Sequence, residues 1–302
     1  MQVNITPKKL DPRGIKAPAD KSWIIRYIIV AAVKGGECSI RNINLCDDVL
    51  ACMDAAEAYE NGGPVECGDS ATVLRLILPS VIKKYGEADF ICGDSLIGRP
   101  WGPYQDFFEI EREGNVLHVR GELKDEYSFD SGISSQFVSG LLIAGCRVKG
   151  ESVSRPYIEM TREVLNTKLP FDVTVPEDKT LAAVWKFGSL HNVPIDDNPD
   201  LYPLLAVQAF LEGKKIEAPE RLRYKESDRL AETEEIIREV LERESGEAVI
   251  GSTDHRIVMT AAMASQRAKV PVNIMHAECV SKSYPNFWED FERAGGDFTV
   301  ED

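Results

Sequence analysis

The strongest constraint on this chain is a set of helical stretches with no polar face. "WIIRYIIVAAVKGG", "QFVSGLLIAGC" and "LYPLLAVQAFLEGK" are apolar nearly all round at a period of 3.6, and such helices must be covered on every side. Short β-rich stretches alternate with the helical ones: "ECSIRNI", "ADFICGD", "VLHVRGE", "DVTVP" and "PVNIMHAECV". The layout of strand, polar cluster, buried helix, Gly-bearing turn and strand recurs, and it predicts an α/β protein made of similar stacked units. The Pro- and Asp-rich stretch "HNVPIDDNPD" at 191–200 favours turns and reads as a boundary. It gives one lobe over 15–190 and a second from 1–14 plus 191–302.

At 302 residues and 43% hydrophobic, the chain can fill two cores. Its 50 acidic against 35 basic residues, a formal net charge of -15, repel phosphodiester backbones and anionic lipid unless positive charge is concentrated locally. No nucleic acid and no membrane partner is expected. Seven cysteines without a CxxC fit reduced thiols in a cytoplasm. Four histidines without an HxH or HxxxH pair imply no metal. "MQVNITPKKLDPRG" lacks the apolar core of a signal peptide, and the apolar run at 23–33 is broken by Arg26, so a cytoplasmic, membrane-free protein is expected.

The informative regularity is the polar group that precedes helix after helix. "ADKSWIIR" places Lys21 and Ser22 at a helix start, with Arg26 one turn on. A guanidinium buried alone in that apolar run would cost several kcal/mol, so it needs an anion, a local Asp or solvent. "SGISSQF" offers Ser134, Ser135 and Gln136, and "SRPYI" offers Ser154 and Tyr157. A single such serine is ordinarily an N-cap, yet clustered hydroxyls at a helix N-terminus also suit phosphate. "NPDLYPLLAV" begins a helix at Asp200, "RYKESDRL" packs Lys225, Glu226 and Arg229 together, and "STDHRIVMT" places Asp254, His255 and Arg256. Arg99 stands on the "GRPW" turn and Lys282 before the last helix. If these helix starts meet in one cleft, an acidic protein acquires a cationic site for small polyanions, with room for two.

In this order, "APADKSWIIR", "CGDSATVLRL", "GDSLIGRPW", "SGISSQF", "SRPYI", "DNPDLYPLLAV", "LRYKESDRL", "TDHRIVM" and "CVSKSYPNFWEDF" resemble the enolpyruvyl transferase family, in its shikimate-type branch. The resemblance runs from residue 17 to 291. It implies a two-lobed, inside-out α/β barrel of βαβαββ units with helix N-termini facing the interlobe cleft. It implies transfer of the enolpyruvyl group of phosphoenolpyruvate to the 5-hydroxyl of shikimate 3-phosphate, in the shikimate pathway of aromatic amino acid biosynthesis, without cofactor or metal. The first lobe then carries most contacts to shikimate 3-phosphate, and the second carries Asp200, Glu226 and part of the phosphoenolpyruvate site. Lys21, Ser22, Arg26, Ser134, Ser135, Gln136, Ser154, Tyr157, Asp200 and Lys225 are implied for shikimate 3-phosphate. Lys21, Ala71, Arg99, Gln136, Arg229, His255, Arg256 and Lys282 are implied for phosphoenolpyruvate. Asp200 is similar to the base at the 5-hydroxyl and Glu226 to the acid at the methylene carbon, with Lys21 beside them in the catalytic set. A monomer acting on these two small molecules is expected.

The chain departs from the family pattern by its short length, with trims at 55–69 and 239–256 and a larger absence between Ser154 and Asp200. Asp69 and Ala71 stand where the pattern has Asn and Gly, adding a charge and a methyl group near phosphoenolpyruvate. The methyl group is expected to weaken inhibition by the bulkier glyphosate. Arg221 replaces an Asn or His near the substrate phosphate. Two other readings stand beside this one: a shortened, non-catalytic binder of phosphorylated metabolites, and an enolpyruvyl transferase for another acceptor such as a UDP-sugar. Retention of both Asp200 and Glu226 weighs against the binder, since holding anions needs neither carboxylate.

Overall fold

The computed structural model describes residues 1–190, 193–195 and 198–301. His191, Asn192, Asp196 and Asp197, which belong to the stretch read as a lobe boundary, lie outside the described residues. The chain divides into two compact units, one continuous over Ala19–Pro176 and one formed by Met1–Pro18 with Glu177–Asp302.

In the continuous unit a four-stranded sheet runs in the order Val65–Gly68, Glu87–Cys92, Val116–Arg120, Glu109–Glu113. The first two strands are parallel and the remaining pairings antiparallel. Parallel strands need a crossover, here the helix Ala71–Tyr85, whose buried residues run without a break from Val73 to Ile82. Two short parallel pairs complete the unit, Cys38–Ile40 with Phe171–Val173 and Glu126–Ser128 with Arg147–Lys149. Ile24, Ile25, Val49, Leu76, Phe90 and Phe137 are among the residues of its apolar core.

The discontinuous unit repeats the plan. Its sheet order is Ala248–Gly251, Val272–Met275, Gln2–Thr6, Asp297–Glu301, again one parallel pair followed by antiparallel neighbours. The crossover is the helix His255–Ala264, every residue of which is buried. Val3, Ile5, Ile257, Val258, Ile274 and Phe291 belong to its core. The helix without a polar face is therefore the element each sheet wraps, which is the α/β arrangement the sequence pattern predicts. Among the described residues the sheets stay open and none closes into a barrel, and no helix is long and apolar enough to cross a membrane.

Helix starts are defined by side-chain caps that leave particular residues in the first turn. Asp20 accepts from Ser22 N and opens the helix Lys21–Lys34. Ser70 caps Ala71–Tyr85, Asp228 caps Arg229–Ile236, and Asp254 caps His255–Ala264. Ala71, Lys21, Arg229, His255 and Arg256 each sit in a first turn for that reason.

Candidate active site

In the continuous unit, Arg26 is 1% exposed and, among the described residues, holds no carboxylate. Its Nε donates to Thr161 Oγ1 at 2.8 Å and its Nη1 to Ser22 O at 2.8 Å, and its guanidinium lies 5.8 Å from the centroid of the Tyr157 ring. Burial pulls its pKa down to about 10, while the charges of Tyr157 and Asp20 oppose that fall. A cation held this way keeps a charge that neutral partners do not cancel. Lys21 differs, since its Nζ meets Asp48 Oδ2 at 2.6 Å with both side chains largely buried.

The serines behave unlike ordinary caps. Ser135 and Ser154 stand at the N-cap positions of Gln136–Ile143 and Arg155–Asn166, and neither makes a side-chain capping bond. Ser154 adopts a left-handed φ of 53°, a strained conformation for a residue with a Cβ. Ser134 Oγ accepts from Gln136 N at 3.2 Å. Gln136 has its amide engaged, with Nε2 donating to Thr72 Oγ1 at 2.7 Å and Oε1 accepting from Arg75 Nη1 at 3.0 Å. Ala71, 5% exposed, is the first residue of the crossover helix. Arg99 Nε donates to Ser95 O at 3.1 Å on the turn after the strand Glu87–Cys92.

Two residues without an assigned role in the sequence reading matter here. Arg75 is buried and donates to Gln136 Oε1 and to Pro100 O at 3.0 Å each, with Phe137 4.7 Å away from its guanidinium. Burial first and the like charge of Arg99 second pull its pKa to about 9. Its signal was present, since "ATVLRLIL" is another arginine inside an apolar run. Asp48 carried none, because an acid in a first helical turn is common.

In the discontinuous unit the mixed-charge octapeptide splits in two. Arg223 pairs with Glu220 and Asp228 at 2.7 Å each on the surface, an ordinary solvated arrangement. Arg229, by contrast, is 2% exposed. Its Nε donates to Asp254 Oδ2 at 2.6 Å, its Nη2 to Asp254 Oδ1 at 3.2 Å and its Nη1 to Asp200 Oδ1 at 2.6 Å. Burial lowers the Arg229 pKa, but Asp254, Asp200 and Glu226 outweigh that and raise it. Asp200 mirrors this: enclosure alone would raise its carboxyl, and the charges of Arg229, Lys225 and Arg256 hold it far below the usual carboxylate range.

Glu226 is gripped from two sides, by His255 Nδ1 at 2.8 Å from Oε2 and by Lys282 Nζ at 3.5 Å from Oε1. Asp254, fully buried, both fixes Arg229 and accepts from Arg256 N at 2.9 Å. Its own N–H donates to Ser252 Oγ, which donates to Glu232 at 2.6 Å. Arg256 is 6% exposed, and among the described residues its Nε and Nη1 are buried with no hydrogen-bond partner. An unsatisfied buried guanidinium is costly, and an anion would satisfy this one. Glu226, Asp254 and His255 bring one ligand atom each within 4.8 Å of one another. Arg229 and Lys282 already balance those carboxylates, which opposes a divalent ion there.

Comparison with known proteins gives a consistent result. Residues 167–291 match the family model described as EPSP synthase (3-phosphoshikimate 1-carboxyvinyltransferase). A 3-phosphoshikimate 1-carboxyvinyltransferase of Clostridium perfringens is 29% identical over 419 residues, covering 98% of this chain and 98% of the relative. One from Clostridium kluyveri is 26% identical, covering 98% and 97%. A 302-residue chain matched across 419 positions reaches both ends of its relative with internal segments missing. Among solved structures, an EPSP synthase from Acinetobacter baumannii has a TM-score of 0.66 at 18% identity, covering 100% of both chains. The enolpyruvyl transferase NikO from Streptomyces tendae has a TM-score of 0.71 at 12% identity, covering 99% of this chain and 98% of its own. The motif order and the end-to-end match make this chain similar to 3-phosphoshikimate 1-carboxyvinyltransferases, and the solved structures show that it shares the EPSP synthase fold.

Proposed function

We infer that the protein transfers the enolpyruvyl group of phosphoenolpyruvate to the 5-hydroxyl of shikimate 3-phosphate, releasing phosphate. The observation that carries this reading is the pairing of a buried, unpartnered Arg256 guanidinium with two carboxylates held in cationic surroundings, Asp200 and Glu226. A mere anion binder has no use for the carboxylates.

Within this reading Ser134, Ser135, Ser154 and Lys225 take the phosphate of shikimate 3-phosphate, while Ser22, Arg26 and Tyr157 hold its ring, with Gln136 at the helix start. Lys21, Ala71, Arg99, Gln136, Arg229, His255, Arg256 and Lys282 receive phosphoenolpyruvate. Asp200 accepts the 5-hydroxyl proton as that oxygen bonds to C2 of phosphoenolpyruvate. Glu226 delivers a proton to C3, giving a tetrahedral adduct. Loss of a C3 proton and expulsion of phosphate then form the enol ether.

The electrostatics explain why the base should work only when substrates are bound. In the empty protein Lys225 and Arg256 help hold Asp200 ionised far below its usual range, and a carboxylate so stabilised is a weak base. Phosphate on Lys225 and a carboxylate on Arg256 offset those charges, so Asp200 regains basicity as the site fills. A cytoplasmic monomer is the accompanying reading, supported by seven free cysteines.

The test is phosphate release with both substrates present. Glu226→Gln and Asp200→Asn each lower kcat by about 100-fold or more, the usual worth of a positioned proton-transfer group. A wild-type protein that binds both substrates and releases no phosphate overturns the reading in favour of a binder.

A further inference from the structure

We propose that Asp69 is a positioning residue for Arg99, clamping the turn that carries it. The inference rests on the reading of Arg99 as a phosphoenolpyruvate ligand. Asp69 Oδ1 accepts from Ser95 N at 2.9 Å, Ser95 Oγ at 2.8 Å and Leu96 N at 3.2 Å. Ser95 in turn holds Arg99, with its carbonyl accepting from Arg99 Nε at 3.1 Å and its hydroxyl 3.5 Å from Arg99 Nη2. One carboxylate oxygen thus holds the N–H and hydroxyl of the residue whose carbonyl and hydroxyl direct the guanidinium.

The surroundings are shaped for this clamp. Gly93 N donates to Gly68 O at 2.7 Å, joining the Asp69 turn to the Arg99 turn. A Cβ at Gly93 would stand 2.4 Å from Asp69 Oδ1, so the carboxylate lies where only glycine leaves room. On the far side of Arg99, Arg75 Nη2 holds Pro100 O at 3.0 Å. The turn is gripped on both flanks, at Ser95 and Leu96 by Asp69 and at Pro100 by Arg75. Asp69 is exposed, so solvent screens its charge and its influence is that of local acceptor bonds. The negative charge that Asp69 adds is thereby engaged by backbone and hydroxyl donors.

The test compares Asp69→Ala and Asp69→Asn with wild type in steady-state kinetics and in amide hydrogen exchange. Asp69→Ala raises the KM for phosphoenolpyruvate by about 10-fold, the scale of losing charge-assisted bonds that orient a ligand group. The KM for shikimate 3-phosphate moves by less than about 2-fold, and Asp69→Asn, which keeps an acceptor oxygen, restores most of the loss. Equal rises in both KM values, or none, overturn the proposal. If the wild-type protein releases no phosphate, the functional reading fails by itself and exchange decides the clamp. Faster exchange at Ser95 and Leu96 in Asp69→Ala then supports it, and unchanged exchange overturns it.

Discussion

The two units bury arginines in opposite ways. Arg26 and Arg75, in the continuous unit, meet hydroxyl, amide and carbonyl oxygens and aromatic rings. Arg229, in the discontinuous unit, meets the carboxylates Asp254 and Asp200. Burial depresses the first two, to about 10 and about 9, and Arg229 is raised. A guanidinium among neutral acceptors retains its attraction for an incoming anion. One locked to two carboxylates has little left to offer and serves to keep those carboxylates ionised and aimed. One unit therefore stores uncancelled positive charge, and the other stores a charge network with Arg256 as its open member.

The sharpest way to break this contrast is to delete each kind of arginine. Arg229→Met leaves Asp254 and Asp200 without their cation and costs about 3 to 5 kcal/mol in urea unfolding, the range for breaking a buried pair. A stability unchanged by that substitution would dissolve the distinction. Arg26→Met removes a charge whose burial, holding its pKa down to about 10, costs about 3 kcal/mol, and Thr161 keeps bonds to Ser139 Oγ and Tyr157 O. Its stability at pH 7 stays within about 1 kcal/mol of wild type, while affinity for shikimate 3-phosphate falls about 30-fold in equilibrium titration, a difference of about 2 kcal/mol. The sign with pH follows from the depressed folded value. The burial penalty applies while Arg26 is charged, below about 10, and is relieved as pH climbs toward its unfolded value. Any advantage of Arg26→Met therefore shrinks on that climb. The smallest effect concerns the first turns of the two crossover helices, where one unit presents the methyl of Ala71 and the other the imidazole of His255. Ala71→Gly tightens glyphosate inhibition by about 10-fold, or roughly 1.4 kcal/mol, and an inhibition constant unmoved by the change would show that the methyl excludes nothing.

Much of this was legible before any coordinates. Buried helices declare themselves because burial on all sides removes the polar face that periodicity would otherwise display, as in His255–Ala264. The outer strands Glu109–Glu113 and Asp297–Glu301 were not legible, since "EIERE" and "DFTVE" expose most of their side chains and carry little alternation. Charged helix starts pointed to Arg26, Glu226, Arg229 and Arg256. The partner of each remained hidden, because Thr161 and Asp254 lie 135 and 25 residues from the arginines they hold. Nor does an N-cap serine announce whether its hydroxyl caps anything: Ser70 does and Ser154 does not.

The strand Gln2–Thr6 lies between Val272–Met275 and Asp297–Glu301, with Gln2 opposite both Met275 and Glu301. Its two neighbours lie far along the chain from it, whereas the strands within Ala19–Pro176 find their sheet partners inside that segment. Closing so long a stretch of chain makes these pairings entropically costlier than those within the inserted unit, which does not depend on them for its own sheets. A translation product stopped short of residue 297 would carry an unmated strand edge, a ready template for clumping with its siblings.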